Sequence, residues 1–131
     1  MVWGADEASQ KVRDDVQRAQ QRAERYPALQ SAIDDVRSRA VSVRRDVSVE
    51  VDAAGVLRDL TIGESALDRG GSRLAAEIVE LMRKATRQAH AATLAATTEI
   101  MGEDDPIVKT IAADLAARET GEEQGRSGGM R

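Results

Sequence analysis

The chain contains no cysteine, which excludes a disulfide framework, a thiolate metal site and a cysteine nucleophile. A single histidine, His90, cannot build a multi-histidine metal centre. Phenylalanine is absent, and Trp3 and Tyr26 are the only aromatic residues. A core filled by rings is thereby ruled out, and so are the aromatic platforms on which single-stranded nucleic acid stacks. No apolar run approaches the roughly 20 residues of a membrane-spanning helix. Residues 1–6 lack the basic flank and apolar stretch of a signal peptide, so a cytoplasmic protein without membrane contact is expected. What remains is 131 residues, 32% of them charged, enough for one domain with tails.

The net charge is −4, from 19 basic and 23 acidic side chains, which taken alone weighs against a polyanionic partner. The charges are unevenly placed. Residues 11–45 hold nine basic and five acidic side chains, residues 46–102 hold six and nine, and residues 103–131 hold four and seven. The N-terminal third is therefore the basic part.

Hydrophobic spacing orders the elements. Val12, Val16, Ala19, Ala23 and Tyr26 recur at steps of three and four, the seam of an amphipathic helix expected over residues 6–39. Pro27 lacks a backbone donor, so a kink or short break is expected beside Tyr26. Beyond it the stripe resumes at Leu29, Ile33, Val36 and Ala40. The period then changes to two. Val41 and Val43, then Val47, Val49 and Val51, then residues 56–62 read as three β-branched strands joined by tight turns, an antiparallel meander. Gly55 closes the second turn, where a positive φ costs it nothing. Residues 63–71 read as a loop. Ser72 is the expected N-cap of a second long helix, whose stripe runs from Leu74 through Ile78, Leu81, Ala85 and Ala89 to Ile100 before Gly102 ends it. Asp105-Pro106 is a helix-start signal, and Ile107, Val108, Ile111 and Leu115 make a short amphipathic helix to about Arg118. The expected organisation is an N-terminal tail at 1–8, an α+β domain at 9–102, a C-terminal helix at 103–119, and a Gly-rich disordered tail at 120–131. The fold class is α-β-β-β-α with a small antiparallel three-stranded sheet. Such a sheet buries little on its own, so a homodimer is expected through Val47, Val49, Val51, Leu60 and Ile62.

No catalytic constellation is present. Asp14-Asp15, Asp34-Asp35 and Asp104-Asp105 are adjacent pairs, and neighbours on a helix diverge by about 100°, so they are read as solvated or helix-terminal charges. His90 sits between Ala89 and Ala91 with no Ser, Cys or acidic partner one turn away, as a surface or interface histidine. Gly70-Gly71-Ser72 precedes a helix but no Lys-Ser/Thr follows, so it is a loop and cap rather than a phosphate cradle. No enzyme activity, cofactor or metal is expected. The basic residues are the only candidates for a functional surface. Arg18, Arg22 and Arg25 share one helical face, and Arg37, Arg39, Arg44 and Arg45 cluster at the helix end and first hairpin. Such a row can hold phosphates, or it can be a solvated face, with Asp14 pairing to Arg18 one turn on. Arg83, Lys84 and Arg87 read as offset by Glu77 and Glu80.

The stretch from Val47 to Ile62 pairs a Val-rich strand with a turn ending in Gly55 and then Leu57-x-Asp59-Leu60-x-Ile62. With Leu67 and the helix pattern from Leu74 to Ala85, it resembles the YbaB/EbfC family of nucleoid-associated proteins over roughly residues 10–102. The resemblance implies a dimer formed through the sheets, helices projecting like tweezer arms, and double-stranded DNA bound with little sequence preference at the nucleoid. It extends to actinobacterial members, including an EspL-like branch associated with type VII (ESX) secretion. That branch implies a different role, a protein–protein adaptor or chaperone with a secretion-system partner. The extra C-terminal helix and the acidic total charge depart from the family pattern.

Overall fold

The computed structural model describes residues 3–128. The N-terminal stretch, rich in Ala, Arg and Gln and poor in β-branched residues, forms one helix, α1 (Trp3–Asp34). It continues unbroken through Pro27, so the break expected there does not occur. The proline withholds one donor, and Ala23, whose carbonyl it would have served, is exposed and can be hydrated instead. A helix-interior proline still costs about 3 kcal/mol. The two halves are held independently: Arg22 and Arg25 reach Asp105 and Met101 on one side of it, and Leu29 is buried on the other.

Three strands follow: β1 (Arg37–Val41), β2 (Val47–Asp52) and β3 (Leu57–Ile62). They form an antiparallel sheet in the order β1-β2-β3. The first strand begins earlier than its valines suggest, and with the opposite phase. Val36, Ala40 and Ser42 are buried, while Val41 is 43% exposed and Val43 fully so. Small inward residues let a helix lie close against the strand, and the alanines of the next long helix meet them there.

That helix is α3 (Gly71–Met101), reached through a single helical turn, α2 (Glu64–Leu67), which places Ala66 in the core. α3 is capped by Gly70 at φ 86, with no side-chain cap bond, so Ser72 is not the N-cap. It stops at Gly102, whose φ of 96 and N–H to the Thr98 carbonyl close the last turn. α3 lies across β1 and β2 and also contacts α1. Leu74, Leu81, Ala85 and Ala89 pack with Val47, Val49 and Val51 in one core. Those three valines are at most 1% exposed. They belong to the protomer's own interior, which corrects their expected place on a dimer surface: the alternating strand faces inward onto α3.

β3 stands apart, with every residue exposed. A bulge pairs Val51 with Leu57 while Val49 pairs with Leu60 and Val47 with Ile62. Skipping Arg58 puts Leu57, Leu60 and Ile62 on the same sheet face as the buried valines. α3 does not extend over them, and they remain 38–39% exposed. The β2–β3 turn is tight against α3: a Cβ on Gly55, at φ 81, would lie 3.2 Å from the Thr86 methyl. The last helix, α4 (Pro106–Gly128), packs on α3. It starts where Asp105-Pro106 predicts and continues past Arg118 into the polar, Gly-rich stretch. Residues 1, 2 and 129–131, the outermost parts of the two expected tails, lie outside the described residues.

Asp46 ties the β1–β2 hairpin to the helices. Its carboxylate accepts from Arg69 at 2.6 and 2.8 Å, from Ser65 at 2.9 Å and from Ser42 at 3.0 Å. Its carbonyl accepts the Gly63 N–H at 2.6 Å. A side chain at Gly63 would press on that carbonyl, 3.2 Å from the Cβ position. Arg69 also grips Glu77 through Nε at 2.9 Å and Nη2 at 3.1 Å. The hydrogen bonds from Arg69 and the serines hold the Asp46 carboxyl well below the usual carboxylate range, against the opposing cost of its burial.

A depressed acid contributes stability above its unfolded pKa of roughly 4 and loses it as pH falls towards the folded value. Asp46→Asn should therefore lower the melting temperature at pH 7. The gap between parent and variant should close as the pH is taken from 5 to 2. Thermal melts followed by circular dichroism at four or five pH values test this, and a gap independent of pH would refute it.

Candidate nucleic-acid interface

The seven arginines singled out from the sequence meet different fates. Arg22 forms a two-pronged bond to Asp105, Nε to Oδ2 at 2.8 Å and Nη2 to Oδ1 at 3.0 Å. Its guanidinium also lies 5.6 Å from the Tyr26 ring centroid, within cation–π range. Asp105 meanwhile accepts the Ile107 N–H at 2.9 Å, capping α4. Its acidity is strengthened chiefly by Arg22 and next by that backbone bond. Arg25 donates to the Met101 carbonyl at 3.4 Å, at the negative end of α3. These two side chains fasten α1 to the α3–α4 junction, and Arg22 has no charge to spare.

Arg37 lies on β1 rather than at a helix end. It donates to the carbonyls of Asp34 and Val36 at 3.2 and 2.7 Å. Arg39 crosses the outer sheet face, where Glu50 and Asp59 lie 3.6 and 3.8 Å away and Ser48 3.4 Å away. Its charge is outnumbered locally. Arg18 is exposed on α1, and Arg44 and Arg45 sit exposed in the β1–β2 connection. No ion pair holds any of these three among the described residues. Arg45 takes φ 61, the left-handed conformation that reverses the chain.

Beside that hairpin runs an open groove of about 550 Å³, between it and the N-terminal half of α3. Its walls include Val41, Val43 and Leu81, with Arg44, Arg73, Lys84 and Arg87 around them. By spacing alone, Glu77 and Glu80 offset the cations of this part of α3. Glu77 is instead engaged by Arg69, and Glu80 accepts from Arg83 at 3.0 Å. The signal that could have found the stripe is its own spacing: positions 73, 77, 80, 84 and 87 advance by four and three.

A second cavity, about 740 Å³, opens between the C-terminal half of α1, the β2–β3 turn, α3 and α4. His90 lines it, half-buried, and its Nε2 has no hydrogen-bond partner among the described residues. The charged groups there are largely paired, Arg58 with Asp52 at 3.8 Å and Arg118 with Asp114 at 3.2 Å. Among the described residues, no group of three or more His, Cys, Asp or Glu side chains is placed to hold a metal ion. None of their helices is long and apolar enough to cross a membrane.

Comparison with known proteins bears on both fold and family. The structure is similar to that of an uncharacterized protein, HP0035, from Helicobacter pylori. The TM-score is 0.52 at 17% sequence identity, over 62% of this chain and 86% of that one. This likeness is one of fold. No curated protein matches the sequence. The YbaB/EbfC DNA-binding family model matches residues 7–104, a span that runs from the first turns of α1 to just past the end of α3 and leaves α4 outside. With three-quarters of its length matched and the strand–strand–strand–helix core in place, the chain belongs to the YbaB/EbfC DNA-binding family.

Proposed function

We propose that the protein acts at the nucleoid, in the cytoplasm, as a homodimer that binds double-stranded DNA through phosphate contacts with little sequence preference. Family membership supports a DNA-binding role. The observation that carries the phosphate reading is the set of long cations with no ion pair among the described residues, Arg44 and Arg45 among those singled out from the sequence. Phosphate contacts need free guanidinium and ammonium groups but no particular base edge.

The dimer reading rests on β3. It is an edge strand with one unpaired backbone edge, and Leu57, Leu60 and Ile62 carry the core face beyond the reach of α3. Val56, 53% exposed, lies at its start. An uncovered apolar edge of this kind is a template for a second strand. A second copy offers the same strand, and a two-fold axis would cover both at once.

Two substitutions separate the interior from the interface. Val49→Asp buries an unpaired charge and should abolish folding, seen as lost helical circular dichroism. Leu60→Asp should leave the protomer folded but monomeric. Light scattering should give the parent twice the 14.1 kDa protomer mass and Leu60→Asp that mass alone; a folded monomeric parent at micromolar concentration would defeat the dimer.

For DNA, two duplexes of equal length and unrelated sequence should bind with the same affinity in fluorescence anisotropy. That affinity should be no tighter than about 10⁻⁶ M at physiological salt and should fall steeply as salt rises. No binding at low salt would instead favour the adaptor role and a protein partner of the secretion type.

A further inference from the structure

We propose that the duplex backbone is held in the groove between the β1–β2 hairpin and α3, by Arg44, Arg73, Lys84 and Arg87, and not along the projecting half of α1. This rests on the DNA-binding reading above and gives it a location that the basic N-terminal third of the sequence does not suggest.

Four observations carry it. The first is placement. Residues 73, 77, 80, 84 and 87 fall within a sector of about 80° on α3, beside the buried stripe of Leu74, Leu81 and Ala85. The sheet therefore forces them out along the open groove. The second is pairing. The two acids in the stripe are already bonded, Glu77 to Arg69 and Glu80 to Arg83. No ion pair ties Arg44, Arg73, Lys84 or Arg87 to a carboxylate among the described residues.

The third is charge. The groove is lined by the cations Arg44, Arg69, Arg73, Lys84 and Arg87 against Glu77 and Glu80, an excess of three. The free half of α1, residues 3–21, carries Lys11, Arg13 and Arg18 against Asp6, Glu7, Asp14 and Asp15, a deficit of one. Further along α1, Arg22 is spent on Asp105. The apolar walls at Val41, Val43 and Leu81 concentrate the field of the groove cations.

The fourth is reach. Arg73 and Arg87 are separated by about 21 Å of helix, the length over which one DNA strand presents about six phosphates. The groove also lies at the β1 side of the sheet. A dimer made through β3, at the opposite edge, leaves both copies of it open, and two linked sites reinforce one another. Arg69 is a positioning residue here: saturated by Asp46 and Glu77, it fixes the hairpin that carries Arg44 against α3.

The test compares three proteins whose folding is verified by circular dichroism and melting. The parent is titrated with a 25-base-pair duplex by fluorescence anisotropy between 50 and 200 mM salt. Arg73→Ala/Lys84→Ala/Arg87→Ala should lose at least tenfold in affinity at low salt. Its salt slope should flatten by about 0.9 for each phosphate contact removed. Lys11→Ala/Arg13→Ala/Lys109→Ala, which removes the same charge elsewhere, should change affinity less than threefold. Glu80→Gln should tighten binding and steepen the slope. If the parent binds but the groove variant matches it in affinity and slope, or the charge-matched variant loses as much, the groove assignment is overturned while DNA binding stands. If the parent does not bind at low salt, the DNA-binding reading fails and the groove assignment with it.

Discussion

Asp46 and Arg69 form the joint on which the rest of the protomer turns. A three-stranded sheet has little interior of its own, and this one must be fastened to helices that follow it in sequence. The fastening is polar. One carboxylate collects a guanidinium and two serine hydroxyls, and the same guanidinium reaches Glu77 in the second turn of α3. Asp46 and Arg69 keep side-chain exposures of only 9% and 12%. A buried pair of this kind is tolerable because its remaining donors and acceptors are used. Removing Arg69 would leave the Asp46 charge with serine hydroxyls alone, and removing Asp46 would leave Arg69 held by Glu77 alone. The hairpin position, the start of α3 and the Gly63 turn are therefore one arrangement rather than three.

Around that joint, small residues determine how closely layers approach. Ala40 on β1 packs with Ala85 and Ala89 on α3, and the backbones come together where larger side chains would hold them apart. The valines of β2 then fill the space between. This explains why a chain with so few large apolar residues can form a core at all. It also explains what the core cannot do. α3 covers two strands, and the third carries its leucines and isoleucine to the edge uncovered, which is where a second chain is needed.

The electrostatics follow from the same packing. Arginine serves two purposes in this protein, and only the fold separates them. Arg22, Arg25, Arg37 and Arg69 hold elements together by two-pronged or carbonyl contacts for which a lysine would be a poor substitute. Arg44, Arg45, Arg73 and Arg87 have no such partner among the described residues and leave their charge to the solvent. The total of −4 hides this division, because a net charge counts a spent guanidinium and a free one alike.

Much of the architecture was legible in the residues. A period of three and four followed by a period of two establishes helix, meander and helix, since these repeats are set by local geometry. Gly55, Gly102 and Asp105-Pro106 mark a turn, a stop and a start through backbone preferences that need no neighbours. The phase of β1 was not legible. Val41 and Val43 look like the inward face until α3 arrives, and α3 packs on Ala40 instead because it must lie close. The continuity of α1 through Pro27 likewise depended on anchors outside the helix. Least legible was the candidate site. Arg22 meets Asp105 across 83 positions and Arg69 meets Asp46 across 23. Local spacing determines which side chains share a helix face. Which of their charges remain free is decided by contacts between residues far apart in the chain, and those exist only once the tertiary structure has formed.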